Sequence, residues 1–259
     1  MNHILDMLHR EPKTRDDVCS KHGPFTAKCF LGDIWTSCPD CVDEEHQREA
    51  SAAKAKELED NKQRWISKMG AACIPERFKD RTLKSYVATT EPQKIALQAA
   101  TDYANNFSEA LKTGRSLVFI GKPGTGKTHL AVGIALRIMH RENRVVYFTT
   151  VRKAINRVKA TWTKGSTESE IEAIQSLAMP DLLILDEVGV QFGSDAEKMI
   201  LFDIINERYE QRRPTLLMSN LSAEGVSEYL GQRIVDRLKE DDGRFIVFNW
   251  ESYRGKECT

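Results

Sequence analysis

The chain has no excess of charge of either sign: 38 Lys and Arg stand against 38 Asp and Glu over 259 residues. That balance removes any global pull toward nucleic acid, so a basic surface has to be local. No apolar run is long enough to span a bilayer. The first ten residues lack the order of charge, apolar core and small-residue cleavage site of a secretory leader. A cytoplasmic protein without membrane association is therefore expected, and in that compartment cysteines do not usually pair as disulfides. Internal repeats and low-complexity tracts are also absent, which sets aside repeat architectures.

Length and an apolar content of 41% allow one sizeable domain and a smaller appendage. Residues 1–42 carry four of the six cysteines; Cys73 and Cys258 stand alone and read as a buried thiol and a tail thiol. Residues 43–73 are charged and Ala-rich, with little to pack against a core, and read as a solvated helical spacer. Ile74-Pro75 ends that helix. Residues 74–259 read as one domain. Helices are expected at 93–112, 128–139, 151–163, 168–178, 196–212 and 226–239, and strands at 117–120, 144–149, 181–186, 214–219 and 244–248. Short apolar strands alternating with helices predict an α/β fold whose parallel five-stranded sheet is covered on both faces.

Within that pattern, Gly121-Lys122-Pro123-Gly124-Thr125-Gly126-Lys127-Thr128 matches G-x-x-x-x-G-K-[ST] at every position. It follows an apolar strand and opens a helix. Glycines let successive N–H groups curl toward an anion, and the helix adds the positive end of its dipole. Lys127 would reach the β- and γ-phosphates, and the Thr128 hydroxyl would ligate Mg²⁺. The expected ligand is a nucleoside triphosphate.

The strand 182–185 runs into Asp186-Glu187. Asp186 at the strand's carboxyl end would hold Mg²⁺, and Glu187 would act as general base on the attacking water. Asn220, at the tip of the next strand, could bond both the γ-phosphate and that water; alternatively it caps the helix starting near residue 223. Arg233 and Arg237 are spaced i, i+4 and share a helix face. They are either solvated or placed to stabilise γ-phosphate charge in a neighbouring subunit.

Taken in order with the ending Phe248-Asn249-Trp250-Glu251-Ser252-Tyr253-Arg254, these motifs resemble the DnaC-type replicative helicase loaders, AAA+ ATPases related to the IstB transposition helpers. The likeness covers residues 74–254. It implies an ATPase that works as a homo-oligomer, binds a hexameric DnaB-type replicative helicase, and places it on single-stranded DNA. By the same resemblance Lys127 and Thr128 bind ATP and Mg²⁺, Asp186 and Glu187 form Walker B, and Asn220 is the sensor. Arg237 is the favoured arginine finger and Arg233 a second sensing arginine. Phe78, in the entry segment 74–78, would flank the adenine. His129, next to Thr128, is grouped with the nucleotide-contacting residues, though local packing or capping suits it better than catalysis. The helices at 151–178 occupy the place that lines the DNA path in relatives. Arg152, Lys153, Arg157, Lys159, Trp162 and Lys164 there suit backbone neutralisation and base stacking; the alternative is an ordinary solvated helix pair.

The amino-terminal cysteines form two knuckles, Cys19-x-x-His22 and Cys38-x-x-Cys41, separated by fifteen residues. Three thiolates and one imidazole satisfy tetrahedral Zn²⁺ in a closed, structural site. Cys29 is a fifth candidate that could replace His22. Phage-encoded relatives of the loaders resemble this arrangement, down to His22-Gly23 and Trp35-x-x-Cys38-Pro39-x-Cys41. The remaining histidines, His3, His9, His46 and His140, form no constellation.

The leading expectation is a phage-type helicase loader whose zinc segment docks on the helicase. An IstB-like ATPase that directs a transposase to target DNA shares every ATPase motif. A small-molecule kinase with the same phosphate loop, and a zinc DNA-binding module switched by ATP, are the more distant rivals.

Overall fold

The computed structural model describes residues 12–30, 32–189 and 194–253. Arg254 and Cys258, singled out above, lie outside them, as do His3 and His9. The chain divides into two compact units, Met1–Trp65 and Ile66–Thr259.

In the first unit, β1 (Lys13–Cys19) pairs antiparallel with β2 (Gly23–Cys29), from Lys13 opposite Cys29 to Cys19 opposite Gly23. Gly23 supplies the left-handed φ of 86° at the turn. Trp35 returns to form a bridge with Cys29. Pro39 then opens α1 (Pro39–Ala71), a position where its missing N–H costs nothing. Among the described residues of this unit, only Ala27, Cys29 and Cys38 are buried apolar residues. So small a core cannot hold a hairpin in place unaided.

The charge pattern of the spacer is realised as a solvated helix: Met69 is the one buried residue along α1. Cys73 follows it at a φ of 53° and is exposed, which corrects the expectation of a buried thiol: the left-handed turn after the helix presents the side chain to solvent. From Ile66 onward, β3 (Leu117–Gly121), β4 (Val146–Thr150), β5 (Leu182–Val188), β6 (Thr215–Ser219) and β7 (Arg244–Phe248) form a sheet in the order β4-β5-β6-β3-β7, with every pairing parallel. The helices are α2 (Glu91–Asn105), α3 (Phe107–Thr113), α4 (Lys127–Arg141), α5 (Val151–Ala160), α6 (Glu170–Ala178), α7 (Asp195–Glu210), α8 (Ala223–Leu230) and α9 (Gln232–Lys239). The central strands are buried on both faces, so their continuous apolar runs reflect helix cover above and below.

Two expected helices are each broken in two. The run 93–112 is interrupted at Asn106, which leaves helical geometry and lets α3 turn away. The run 226–239 breaks at Gly231, whose φ of 81° a helix interior does not accept. Elsewhere local chemistry sets the ends: Ser169 with Glu172 and Ser194 with Glu197 form capping boxes at α6 and α7.

One cation ties the far end of the sheet together. Arg208 of α7 is fully buried. Its guanidinium donates to the carbonyls of Ala178 at 2.7 Å, Pro180 at 2.8 Å and Pro214, and to the Thr215 hydroxyl at 3.1 Å. Burial pulls it down to about 9. It thereby joins the end of α6 to the starts of β5 and β6. In this parallel arrangement β3, β5 and β6 deliver their carboxyl ends to one edge of the sheet, where open α/β sheets bind ligands.

Candidate functional site

The phosphate loop leaves β3 and enters α4. Two glycines in it are obligatory for packing as well as for backbone angle. Gly121 has a φ of 135°, and a Cβ there would meet the Phe248 carbonyl oxygen at 2.2 Å. Gly126 has a φ of 95°, and a Cβ would strike the Tyr86 ring at 2.7 Å. Thr125 is buried, and its hydroxyl donates to the Lys122 carbonyl at 2.8 Å, closing the loop on itself. The Lys127 ammonium is held within the loop by the carbonyls of Gly121 at 2.7 Å and Lys122 at 2.8 Å.

Around this loop lies a cleft of about 640 Å³. Pro123, Gly124, Gly126, Lys127, Thr128, His129, Asp186, Glu187 and Asn220 line it, together with Arg77, Phe78, Arg81, Ser85, Tyr86, Val87 and Tyr253. Lys122 is exposed and Thr125 turned inward; both shape the loop from outside the cleft.

The Thr128 hydroxyl lies 3.4 Å from Asp186 Oδ2. A hydroxyl and a carboxylate so placed are hard oxygen donors of the kind Mg²⁺ takes. Burial pushes the Asp186 carboxyl above its ordinary range, with the Glu187 N–H bond opposing the shift. A divalent cation would relieve that desolvation. Glu187 stands at a φ of 62°, rare for a residue with a side chain, at the point where β5 and β6 lose register between Leu185 and Val188. Its N–H donates to Asp186 Oδ1 at 2.7 Å.

Asn220 is exposed and faces the cleft. The capping role open to it belongs to Ser222, whose hydroxyl accepts from Gly225 N–H. His129 packs: its Nε2 donates to the Thr82 carbonyl at 2.9 Å, its ring meets Tyr86 edge-on at 5.2 Å, and burial lowers its pKa. Neither Arg233 nor Arg237 lines the cleft. Arg237 lies over the rings of Tyr209 at 4.9 Å and Phe202 at 5.3 Å and donates to Asn206. Arg233, one turn earlier, is exposed.

The basic helix is less free than its composition suggests. Lys159 pairs with Glu197 at 2.6 Å, Arg157 with Glu168 at 3.0 Å, and the Trp162 indole N–H with Glu170 at 2.7 Å. Arg152 and Lys153 are exposed on α5.

In the first unit, Cys19, His22, Cys38 and Cys41 converge, with their ligand atoms all within 4.8 Å of one another. Cys19 and Cys41 sulfurs are 3.5 Å apart, and His22 Nδ1 is 3.3 Å from Cys41 and 3.7 Å from Cys38. Tetrahedral Zn²⁺ with bonds of about 2.3 Å to sulfur spaces its ligands by roughly 3.8 Å, so the cluster fits that ion. Cys29 lies apart and donates to the Gly32 carbonyl at 3.2 Å. N–H groups of Lys21 and His22 draw the Cys19 thiol down to about 6, while sharing with Cys19 drives Cys41 up to about 11. Glu44 meets His22 Nε2 at 3.1 Å and so directs the Nδ1 lone pair toward the thiols. Composition gave no sign of Glu44, which sits one helical turn beyond Cys41.

Comparison with known proteins places this geometry. A family profile described as IstB-like ATP binding protein matches residues 54–258. The replicative helicase loader DnaC of Buchnera aphidicola subsp. Baizongia pistaciae is 34% identical over 188 residues, 73% of this chain and 75% of that one. DnaC of Escherichia coli K12 is 35% identical over 175 residues, 68% and 69% of the two chains. A crystal structure of the DnaC helicase loader superposes with a TM-score of 0.61 at 25% identity, covering 67% of this chain and 99% of that one. AMPPCP-bound DnaA from Aquifex aeolicus, at 20% identity, a TM-score of 0.55 and coverage of 68% and 51%, shares the fold.

Proposed function

Because the chain belongs to the IstB/DnaC family of AAA+ P-loop proteins, we propose that it is an ATP-dependent loader of a replicative DNA helicase. It binds ATP with Mg²⁺, hydrolyses it where two copies of the chain meet, and uses the resulting switch to hold a hexameric DnaB-type helicase and single-stranded DNA in the cytoplasm. No helix among the described residues is long and apolar enough to cross a membrane.

The observation that carries this reading is the meeting of Lys127, Thr128, Asp186, Glu187 and Asn220 in one cleft that contains no arginine from α9. Lys127 would exchange loop carbonyls for phosphate oxygens, a charge-assisted bond stronger than the pair it replaces. Thr128 and Asp186 would hold Mg²⁺, which lowers the charge on the phosphates. Glu187, which lines the cleft, would take the proton of the attacking water. Asn220 would orient the same water. Charge developing on the γ-phosphate would then be met by Arg237 or Arg233 of a second copy. A site completed in this way would make the interface between copies depend on nucleotide.

The cluster at Cys19, His22, Cys38 and Cys41 supports a structural zinc that builds the helicase-docking segment, residues 1–42. The exposed Arg152 and Lys153 on α5 support contact with DNA backbone, with Arg157, Lys159 and Trp162 available once their carboxylate partners release them. The IstB-like alternative, delivery of a transposase, uses the same ATP site.

Affinity capture of the full chain from host extract, with and without ATP, separates the two. Recovery of a hexameric helicase in an ATP-dependent manner is expected. Recovery of a transposase, with no helicase, would overturn the loader reading.

A further inference from the structure

The segment 248–253 is used by none of the steps above, yet it touches the phosphate loop repeatedly. β7 pairs with β3 up to Gly121 opposite Phe248, and the Lys122 N–H donates to the Phe248 carbonyl at 3.3 Å. Beyond β7 the chain passes beneath the loop. The Trp250 indole N–H donates to the Thr125 carbonyl at 2.9 Å, and the Tyr253 backbone N–H donates to the Gly124 carbonyl at 2.9 Å. Trp250 is only 9% exposed, its ring packed at a tilt against Phe248 at 4.9 Å, which in turn rests on Phe119 of β3 at 5.1 Å. The Tyr253 hydroxyl reaches the Val87 carbonyl at 2.9 Å, and its ring meets Tyr86 edge-on at 6.2 Å.

Peptide planarity turns these contacts into an orienting device. In a trans peptide the carbonyl of one residue and the N–H of the next point in opposite directions. A donor holding the Gly124 carbonyl from outside therefore turns the Thr125 N–H the other way. A donor on the Thr125 carbonyl does the same for the Gly126 N–H. These are amides of the phosphate-binding turn between β3 and α4. Glycine-rich loops are soft, and a fixed direction for their N–H groups has to come from something outside them.

We propose that residues 248–253 form a strap that sets the direction of the phosphate loop's N–H groups, with Trp250 and Tyr253 as positioning residues for the triphosphate. The proposal rests on the ATP-site reading above. It assigns a role to the Phe-Asn-Trp-Glu-Ser-Tyr ending: β7 brings it to the loop, the indole ring anchors it, and two N–H donors grip consecutive carbonyls.

The test is a titration of the full-length protein with Mg²⁺ and a fluorescent N-methylanthraniloyl ATP, together with steady-state ATP turnover. Trp250→Phe keeps an aromatic ring in place and removes one donor. Its expected effect is a rise of about tenfold in Kd and KM for ATP, with kcat at saturating ATP within about twofold of the unsubstituted protein. A purely structural role would lower the melting temperature of the nucleotide-free protein and leave the Kd of the folded fraction unchanged. Unchanged Kd in folded Trp250→Phe, or a loss confined to kcat, overturns the proposal. Should Trp250→Phe fail to fold, Tyr253→Phe decides: it removes only the hydroxyl on Val87, a rise of about threefold in Kd is expected, and wild-type affinity overturns the strap. Failure of the unsubstituted protein to bind the ATP analogue would overturn the ATP-site reading itself, and that result appears before any substitution is made.

Discussion

The Ser219 hydroxyl donates to the Val188 carbonyl at 2.8 Å, at the one place where β5 and β6 slip out of register. The same oxygen accepts from the Leu221 N–H at 3.1 Å. Ser219 is 1% exposed, so neither bond competes with water. Val188 follows Glu187 and Leu221 follows Asn220; one buried hydroxyl thus fixes the spacing between the candidate base and the candidate sensor. Ser219→Ala should lower kcat for ATP by about tenfold while changing the Kd for ATP less than twofold, since no phosphate contact is lost. Equal kcat in the two proteins would show that the bulge holds itself.

Zinc removal should separate the two units. The hairpin of β1 and β2 has almost no apolar core, and its turn and the start of α1 are joined by the Cys19, His22, Cys38 and Cys41 cluster. The purified protein is expected to carry stoichiometric zinc by atomic emission. A chelator, or Cys38→Ser, should collapse the dispersed amide signals of residues 13–29 in an NMR spectrum, while ATP binding persists. Persistence of those signals without metal would mean that the hairpin stands without it.

Glu197 offers a pH-dependent test of the basic helix. Its bond from Lys159, and secondarily the Ser194 N–H, hold its carboxyl below the ordinary 4.5. A carboxylate with a depressed folded pKa adds stability above its unfolded value, and that stability is lost as pH falls through the folded one. Glu197→Gln should therefore cost up to about 1 kcal/mol in urea unfolding at pH 7, with the difference closing as pH falls below the ordinary carboxylate range and through the depressed folded value. The same change frees Lys159, so affinity for single-stranded DNA at low salt should rise about threefold in fluorescence anisotropy. Unchanged affinity would take α5 out of the DNA path.

Arg208 should be indispensable to the fold. Its guanidinium satisfies several buried carbonyls at once and forms no salt bridge among the described residues. Arg208→Met leaves those acceptors unpaired and should cost about 3 kcal/mol or more in urea unfolding. Arg208→Lys, with a compact ammonium in place of the planar fork, should fall between.

What sequence reveals and what it hides follows from the reach of each interaction. The phosphate loop, Asp186-Glu187 and the five strands are legible because each is a local pattern of apolar run, glycine or acidic pair. The strap is not: Trp250 meets Thr125 across 125 positions, and neither residue marks the other. The carboxylates that quiet α5 are hidden in the same way, since Glu168, Glu170 and Glu197 look like ordinary cap and surface residues until folding brings them to Arg157, Trp162 and Lys159. The break at Gly231 was readable in principle from a glycine between two short amphipathic runs. The break at Asn106 had no such sign, because Ala-rich and aromatic residues continue the helical pattern through it. Ser219 is silent for another reason: a serine at a strand end is commonplace, and only the slipped register gives it a task.

The placement of Arg237 bears on how the ATP site is completed. Its guanidinium is held on its own subunit by Asn206 and by the faces of Phe202 and Tyr209, so the side chain is ordered before any neighbour arrives. An arginine already fixed loses less rotamer entropy when it meets a phosphate. Arg233 is exposed and would have to be ordered on contact. Arg237→Ala is therefore expected to abolish ATP turnover at every protein concentration, and Arg233→Ala to reduce it by about tenfold. Both should leave the Kd for ATP close to that of the unsubstituted protein, because neither residue lines the cleft of its own chain. Mixing Arg237→Ala with Lys127→Ala then tests the composite site directly. Each variant is inactive alone, but an interface that takes its loop from the first and its arginine from the second is whole. Turnover in the mixture, rising with total protein concentration, is the expected result. A mixture as inactive as its components would show that Arg237 serves the packing of α9 on α7, with the catalytic arginine to be sought elsewhere.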